Sequence, residues 1–201
     1  MPSQDEPSEK NFSSLLRSPR QPHAAAPPPQ FESIRSECAS LRGALRRERS
    51  TTAENRLGSY LAATGATRRA FASPLAAARV RSATGDGALS LSSFPLEFRV
   101  YPVSAAMAWH RDEQLFSEPQ VEAVLTLSNT SDSETEWLDA AGVLHSVWTE
   151  PNSLLLVRAA GGLHRVRAVA RGERSIVKAA FCDAAATRLP SYDANLTTYI
   201  A

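Results

Sequence analysis

The segment Tyr101 to Asp112, YPVSAAMAWHRD, carries an imidazole and a carboxylate two positions apart, His110 and Asp112. In a β-strand, residues i and i+2 point to the same face, so both side chains would reach one point in space, where a divalent metal can sit. The pair alone is a weak signal, because a surface His beside a surface Asp is the plainer explanation. Farther along, LHRVRAVARGERSIVKAAF adds His164 and, ten positions after it, Arg174. Two His and one carboxylate from separate strands make the facial set that holds Fe(II) with coordination positions left open. A guanidinium beyond the second His can grip the far carboxylate of a dicarboxylic acid whose keto end chelates the iron, through two parallel hydrogen bonds that a lysine cannot make. His145, in GVLHSVW, competes for the second imidazole position, but the nearest downstream cation, Arg158, stands thirteen residues on, so His164 is preferred.

Positioning these groups requires strands. From Leu89 the apolar period is two: Leu96, Phe98 and Val100 alternate with Glu97, Arg99 and Tyr101, and Val121, Ala123, Leu125 and Leu127 alternate with Glu122, Val124 and Thr126. Further strands are expected at 143–147, 153–158, 163–169 and 174–181, separated by loops with Gly, Pro, Asn or Asp. The acidic stretch from Thr130 to Gly142 is read as a loop between strands, either covering the substrate or simply exposed. Upstream, Phe31, Ile34, Cys38, Leu41 and Leu45 recur at helical spacing. A second helix is expected from the capping-box pattern Thr51-x-x-Glu54, carrying Leu57, Tyr60 and Leu61 inward and ending near Gly65. Residues 66–88 are Ala- and Arg-rich and end in a Thr-Gly-Asp-Gly turn signal. Residues 1–30 hold seven of the thirteen prolines and one aromatic, too little apolar surface to offset ordering entropy, and are expected to be a disordered tail. The pattern therefore predicts a mainly β, antiparallel jelly roll over 89–201, a helical support region over 31–88, and the tail.

In this order and spacing, FRVYP, WHRDE, VLTLSN, PNSLLLV, LHRV and GERSIVKAAF resemble the Fe(II)- and 2-oxoglutarate-dependent oxygenases, particularly the prolyl-4-hydroxylase-like branch. The resemblance spans roughly Leu89 to Phe181. It implies a double-stranded β-helix of cupin-like jelly-roll type, with His110, Asp112 and His164 as the Fe(II) ligands and Arg174 as the 2-oxoglutarate anchor. Tyr101 and Thr126 become candidates for the second carboxylate contact. The family often has a hydroxyl residue two positions after the anchor; Ile176 stands there, and Ser175 is adjacent instead. The implied reaction couples oxidative decarboxylation of 2-oxoglutarate to hydroxylation of a C–H bond by O2, on a peptidyl prolyl, another protein side chain or a small molecule, with ascorbate as an accessory reductant. A non-catalytic jelly-roll binding module and a cupin-type metalloenzyme that uses no 2-oxo acid are the rival readings.

The remaining features narrow the class. A net charge of +1 gives no sign of a nucleic-acid or membrane-surface partner. Cys38 and Cys182 lie far apart and imply no disulfide framework, which favours a reducing compartment. The acidic residues of MPSQDEPSEK, without an apolar run behind them, argue against a secretory signal, so a cytoplasmic location is expected, with organelle targeting left open. The acceptor patterns at Asn129 and Asn195 are therefore discounted. Of Trp109, Trp137 and Trp148, at least one is expected to border the substrate mouth.

Overall fold

The computed structural model describes residues 25–199. Helix α1 (Pro28–Ser40) buries Phe31, Ile34 and Cys38 as the periodicity predicts, and a short 3-10 turn (Arg42–Ala44) follows. Next come β1 (Arg46–Arg47), β2 (Ala53–Glu54), β3 (Leu57–Tyr60), α2 (Ala66–Phe71) and α3 (Pro74–Thr84). The strands β4 (Leu89–Leu91), β5 (Glu97–Tyr101), β6 (Ala106–His110), β7 (Val121–Asn129), β8 (Thr135–Leu138), β9 (Leu144–Val147), β10 (Leu154–Arg158), β11 (His164–Val166) and β12 (Arg174–Asp183) precede α4 (Pro190–Asn195). The larger sheet runs β1-β3-β5-β12-β7-β10, with β4 also pairing β12, and the smaller runs β2-β6-β11-β8-β9. All pairings are antiparallel. This is the expected mainly β double-sheet architecture with helices on one side.

The second helix expected over 51–65 is not there. Residues 53–54 pair with β6 and residues 57–60 with β5, and Asn55, at φ 51°, turns the chain between them. A side chain such as Asn tolerates this left-handed conformation in a single-residue turn. Pairing to two sheets outweighs the local capping-box preference. Residues 66–88, given no element from sequence, hold α2 and α3, the latter capped by the Ser73 side chain and closed at Gly85 (φ 72°). The stretch 130–142 is only partly loop, since it contains β8, whose Thr135 and Glu136 are buried. For the predicted tail, residues 1–24 lie outside the described residues, but residues 28–30 belong to α1. Ala26 is buried, and its N–H and carbonyl bond the Asn152 side chain at 2.9 Å each.

Both faces of the larger sheet are covered. Phe98, Val100, Ala123, Leu125, Val177 and Phe181 pack toward Ile34, Cys38 and Phe71 of the helices. The alternate residues Glu97, Arg99 and Tyr101 of β5 are buried as well, on the face turned toward the smaller sheet. Two charges thus lie where a plain amphipathic strand would expose them to water.

They are compensated. The Arg56 Nε donates to Glu48 Oε2 at 2.6 Å, and a second Arg56 nitrogen bonds Glu48 Oε1. Arg99 Nη2 donates to Glu97 Oε2 at 2.6 Å, and the Tyr199 hydroxyl bonds both Arg99 Nε (3.0 Å) and Glu97 Oε2 (2.8 Å). Gly58 makes room for this tyrosine: a Cβ there would stand 2.5 Å from the ring. Burial alone would raise the Glu48 carboxyl, but Arg99 and Arg56 pull it down to about 2. Because its folded value is depressed, the stability it contributes is present above the ordinary carboxylate range and is lost as pH falls from about 4.5 toward 2.

Breaking this pair leaves Arg56 buried without its counter-ion. Glu48→Ala should lower the unfolding free energy by about 3–5 kcal/mol in urea titration. Glu134→Ala, which removes one of two acidic partners of the half-exposed Arg167, should change it by under about 1 kcal/mol. Equal effects from the two variants would mean that the Glu48 pair is solvated.

Candidate metal centre and cosubstrate pocket

His110 closes β6 and His164 opens β11, and the two are paired across the strands, so register alone brings the rings to a centroid distance of 4.2 Å. Asp112 reaches them differently from the same-strand geometry the spacing suggested. The strand ends at His110, and Asp112 lies in the following loop, whose backbone is held by an Ala160 N–H to Asp112 carbonyl bond of 2.8 Å. Asp112 Oδ1 is 3.7 Å from His110 Nε2, and Oδ2 is 3.6 Å from His164 Nε2. One ligand atom from each residue lies within 4.8 Å of the others, a separation that a single metal ion can bridge.

The tautomers suit a metal. His110 Nδ1 faces the Ala108 carbonyl at 2.9 Å and His164 Nδ1 the Gly162 carbonyl at 3.1 Å. A carbonyl only accepts, so each Nδ1 carries the proton and each Nε2 turns a bare lone pair to the centre. His110 Nε2 is buried and has no hydrogen-bond partner among the described residues. Burial lowers the His164 pKa, which favours the neutral, ligating form. Burial works against ionised Asp112, but Lys178 and the two neighbouring imidazoles together hold its carboxyl well below the usual range. The donor set therefore fits a divalent ion such as Fe(II).

Arg174 starts β12 after the turn at Gly172, whose φ of 73° and 2.2 Å approach of a notional Cβ to the Thr130 carbonyl require glycine. The guanidinium is 2% exposed, donates from Nη1 to Thr135 Oγ1 at 2.9 Å, and stands 5.9 Å from the Tyr101 ring centroid. Its Nε has no partner, and no carboxylate pairs with it among the described residues. A buried cation left without an anion is costly, and an anionic ligand would relieve it. The Tyr101 oxygen accepts from Arg56 Nη1 at 2.6 Å, which leaves its own proton to donate.

The other sequence candidates sit elsewhere. Thr126 spends its hydroxyl on Thr149 Oγ1 at 2.9 Å, and Ser175 faces the opposite side of the sheet, bonded to Ser128 at 2.6 Å. His145 is outside the cluster, stacked on Trp137 and bonded to Asp139 Oδ2 at 2.8 Å. Contrary to expectation, no tryptophan lines the cavity of about 690 Å³ beside His110 and Asp112. Trp109 lies under Arg165, and Trp148 donates to the Ser131 carbonyl.

That cavity is walled instead by Glu48, Arg56, Glu97, Arg99, Glu122 and Lys178. Lys178 Nζ stands 3.4 Å from Asp112 Oδ1 and 3.6 Å from Glu122 Oε2. Burial pushes the Glu122 carboxyl up to about 7, against the pull of Lys178. Lys178 follows Arg174 by four residues and so shares a face with it in a regular strand, which was the available signal for it. The polar positions alternating with Phe98 and Val100 were the available signal for Glu97 and Arg99.

No protein-family model and no curated protein matches the sequence. Solved structures do. A prolyl-4-hydroxylase from Pseudomonas putida aligns with a TM-score of 0.63 and 22% identity, covering 80% of this chain and 89% of that one. The non-heme α-ketoglutarate-dependent epimerase SnoN of nogalamycin biosynthesis gives 0.72 at 18% identity, covering 87% and 81%. HygX from Streptomyces hygroscopicus, solved with nickel, 2-oxoglutarate and hygromycin B, gives 0.58 at 12%, covering 81% of each chain. The chain therefore has the jelly-roll fold of the Fe(II)- and 2-oxoglutarate-dependent oxygenases, with a His-Asp-His cluster that can hold a metal ion.

Proposed function

We propose that the protein is an Fe(II)- and 2-oxoglutarate-dependent oxygenase that hydroxylates a C–H bond. The observation that carries this reading is the pairing of two incomplete sites. His110, Asp112 and His164 turn their donor atoms to one point, and Arg174 is buried with its Nε unpartnered and no carboxylate beside it among the described residues. Fe(II) held by the first set would supply the oxidative chemistry, and a 2-oxo acid would chelate it while its far carboxylate rested on Arg174 and Tyr101. SnoN has been solved with Fe3+ and α-ketoglutarate, and HygX with nickel and 2-oxoglutarate, in the same fold.

The cavity wall bears on the substrate. Its side chains of low exposure include the acids Glu48, Glu97, Asp112 and Glu122 and the cations Arg56, Arg99 and Lys178. An apolar prolyl ring would leave this ionic wall poorly solvated. The wall suits a hydrogen-bonding small molecule better than a prolyl peptide, and the cavity volume lies within the usual range for such ligands.

Anaerobic titration with Fe(II) and then 2-oxoglutarate should give one iron per chain and a weak visible charge-transfer band. His110→Ala or Asp112→Ala should abolish iron binding; full retention in both would locate the metal elsewhere.

Arg174→Ala should keep the iron but weaken 2-oxoglutarate by about 2–5 kcal/mol, roughly 30-fold to a few thousand-fold, because the ligand carboxylate would lose its charge-assisted partner. Arg171→Ala, whose side chain is 85% exposed, should change little. Succinate formation against 2-oxoglutarate concentration measures both. If neither variant shifts the apparent affinity, the 2-oxoglutarate reading fails.

A further inference from the structure

Lys178 is a buried cation that neither the metal ligands nor the Arg174 pocket requires. Its ammonium bridges Asp112 Oδ1 (3.4 Å) and Glu122 Oε2 (3.6 Å). Glu122 is itself fixed: its Oε1 accepts from Gln120 Nε2, and Gln120 Oε1 accepts from the Leu115 N–H at 2.9 Å. Glu122 and Gln120 are each 1% exposed, so this chain of contacts has little freedom to rearrange. It ends on one particular oxygen of Asp112. Oδ2 makes no hydrogen bond among the described residues and faces His164 Nε2 at 3.6 Å.

We infer that Lys178, held by Glu122, is a positioning residue that occupies Asp112 Oδ1 and so restricts this carboxylate to one-oxygen ligation of the metal. The inference rests on the proposed metal centre. A carboxylate can take one or two positions on a metal, and six-coordinate ions of the Mn(II) and Fe(II) type accept either mode. With two imidazoles and a single carboxylate oxygen bound, three positions remain; with both oxygens bound, two remain. A chelating 2-oxo acid takes two, so only the first arrangement leaves a place for a further ligand. Lys178 thus acts through Asp112 on the number of places the metal offers, without touching the metal.

The test needs only Mn(II), no substrate. Water-proton relaxation reports how many exchangeable waters the bound ion carries. The paired change Lys178→Met with Glu122→Gln removes the ammonium together with the carboxylate that holds it, so that no acid is left facing an apolar side chain. It should bind one Mn(II) per chain yet lose about a third of the inner-sphere relaxation enhancement, one water of three. Lys178→Arg, which keeps a donor on Oδ1, should stay near the wild-type value. Lys178→Met alone serves as the second variant should the paired one not fold. Wild-type relaxation in the Met variants with Mn(II) bound overturns the inference. So does loss of Mn(II) from a folded variant, because a freed carboxylate oxygen should strengthen chelation. If the unaltered protein binds no Mn(II), or His110→Ala keeps it, the metal centre itself is refuted instead.

Discussion

Charge compensation inside the barrel is the constraint on which the other features depend. Two sheets facing each other normally enclose apolar side chains, yet here the inward face carries Glu97, Arg99, Glu122, Arg174 and Lys178, with Glu48 and Arg56 reaching in from the loops beside the N-terminal strands. An unpaired ion in such a place is costly, so each must find an opposite charge or a ligand that brings one. Glu48 with Arg56 and Glu97 with Arg99 satisfy each other. Arg174 does not, and the metal ligands present bare Nε2 atoms. The imbalance is confined to the places where an anion and a cation would bind.

That division explains the role of the short N-terminal strands. Their contribution in hydrogen bonds is small, two to four residues each. They nevertheless bring in Arg56, whose Nη1 bonds the Tyr101 hydroxyl, so part of the proposed cosubstrate pocket is organised by a segment that local sequence pattern assigns to a helix. The helices α1 to α3 cover the apolar face of the larger sheet. With both faces buried, β5, β7 and β12 can carry a polar stripe on one side without losing their packing on the other.

Much of this was legible in the residues. His110, Asp112, His164 and Arg174 could be singled out because imidazole, carboxylate and guanidinium at those intervals have few chemical uses in common, and the structure brings the first three to one point. The strands from Leu89 onward were legible through their period of two. What stayed hidden was long-range. Thr51-x-x-Glu54 looks like a helix start until β6 and β5 are present to pair with its neighbours. Thr135 looks like part of an acidic loop until β11 lies beside it. Lys178 looks like one strand cation among several until the loop after β6 delivers Asp112 to it. None of these partners lies within the reach of a local pattern.

The placement of β12 in the larger sheet also bears on how the chain assembles. It runs between β5 and β7 and pairs with both, although it spans residues 174–183 and they were made long before it. During synthesis from the N-terminus, β5 and β7 therefore wait as neighbours without their common partner, each with an open edge of hydrogen-bonding groups. The contacts that close the sheet are non-local, which slows folding by the entropy of closing large loops. The binding-competent interior is completed only when one of the last strands to emerge slides into a gap already prepared for it.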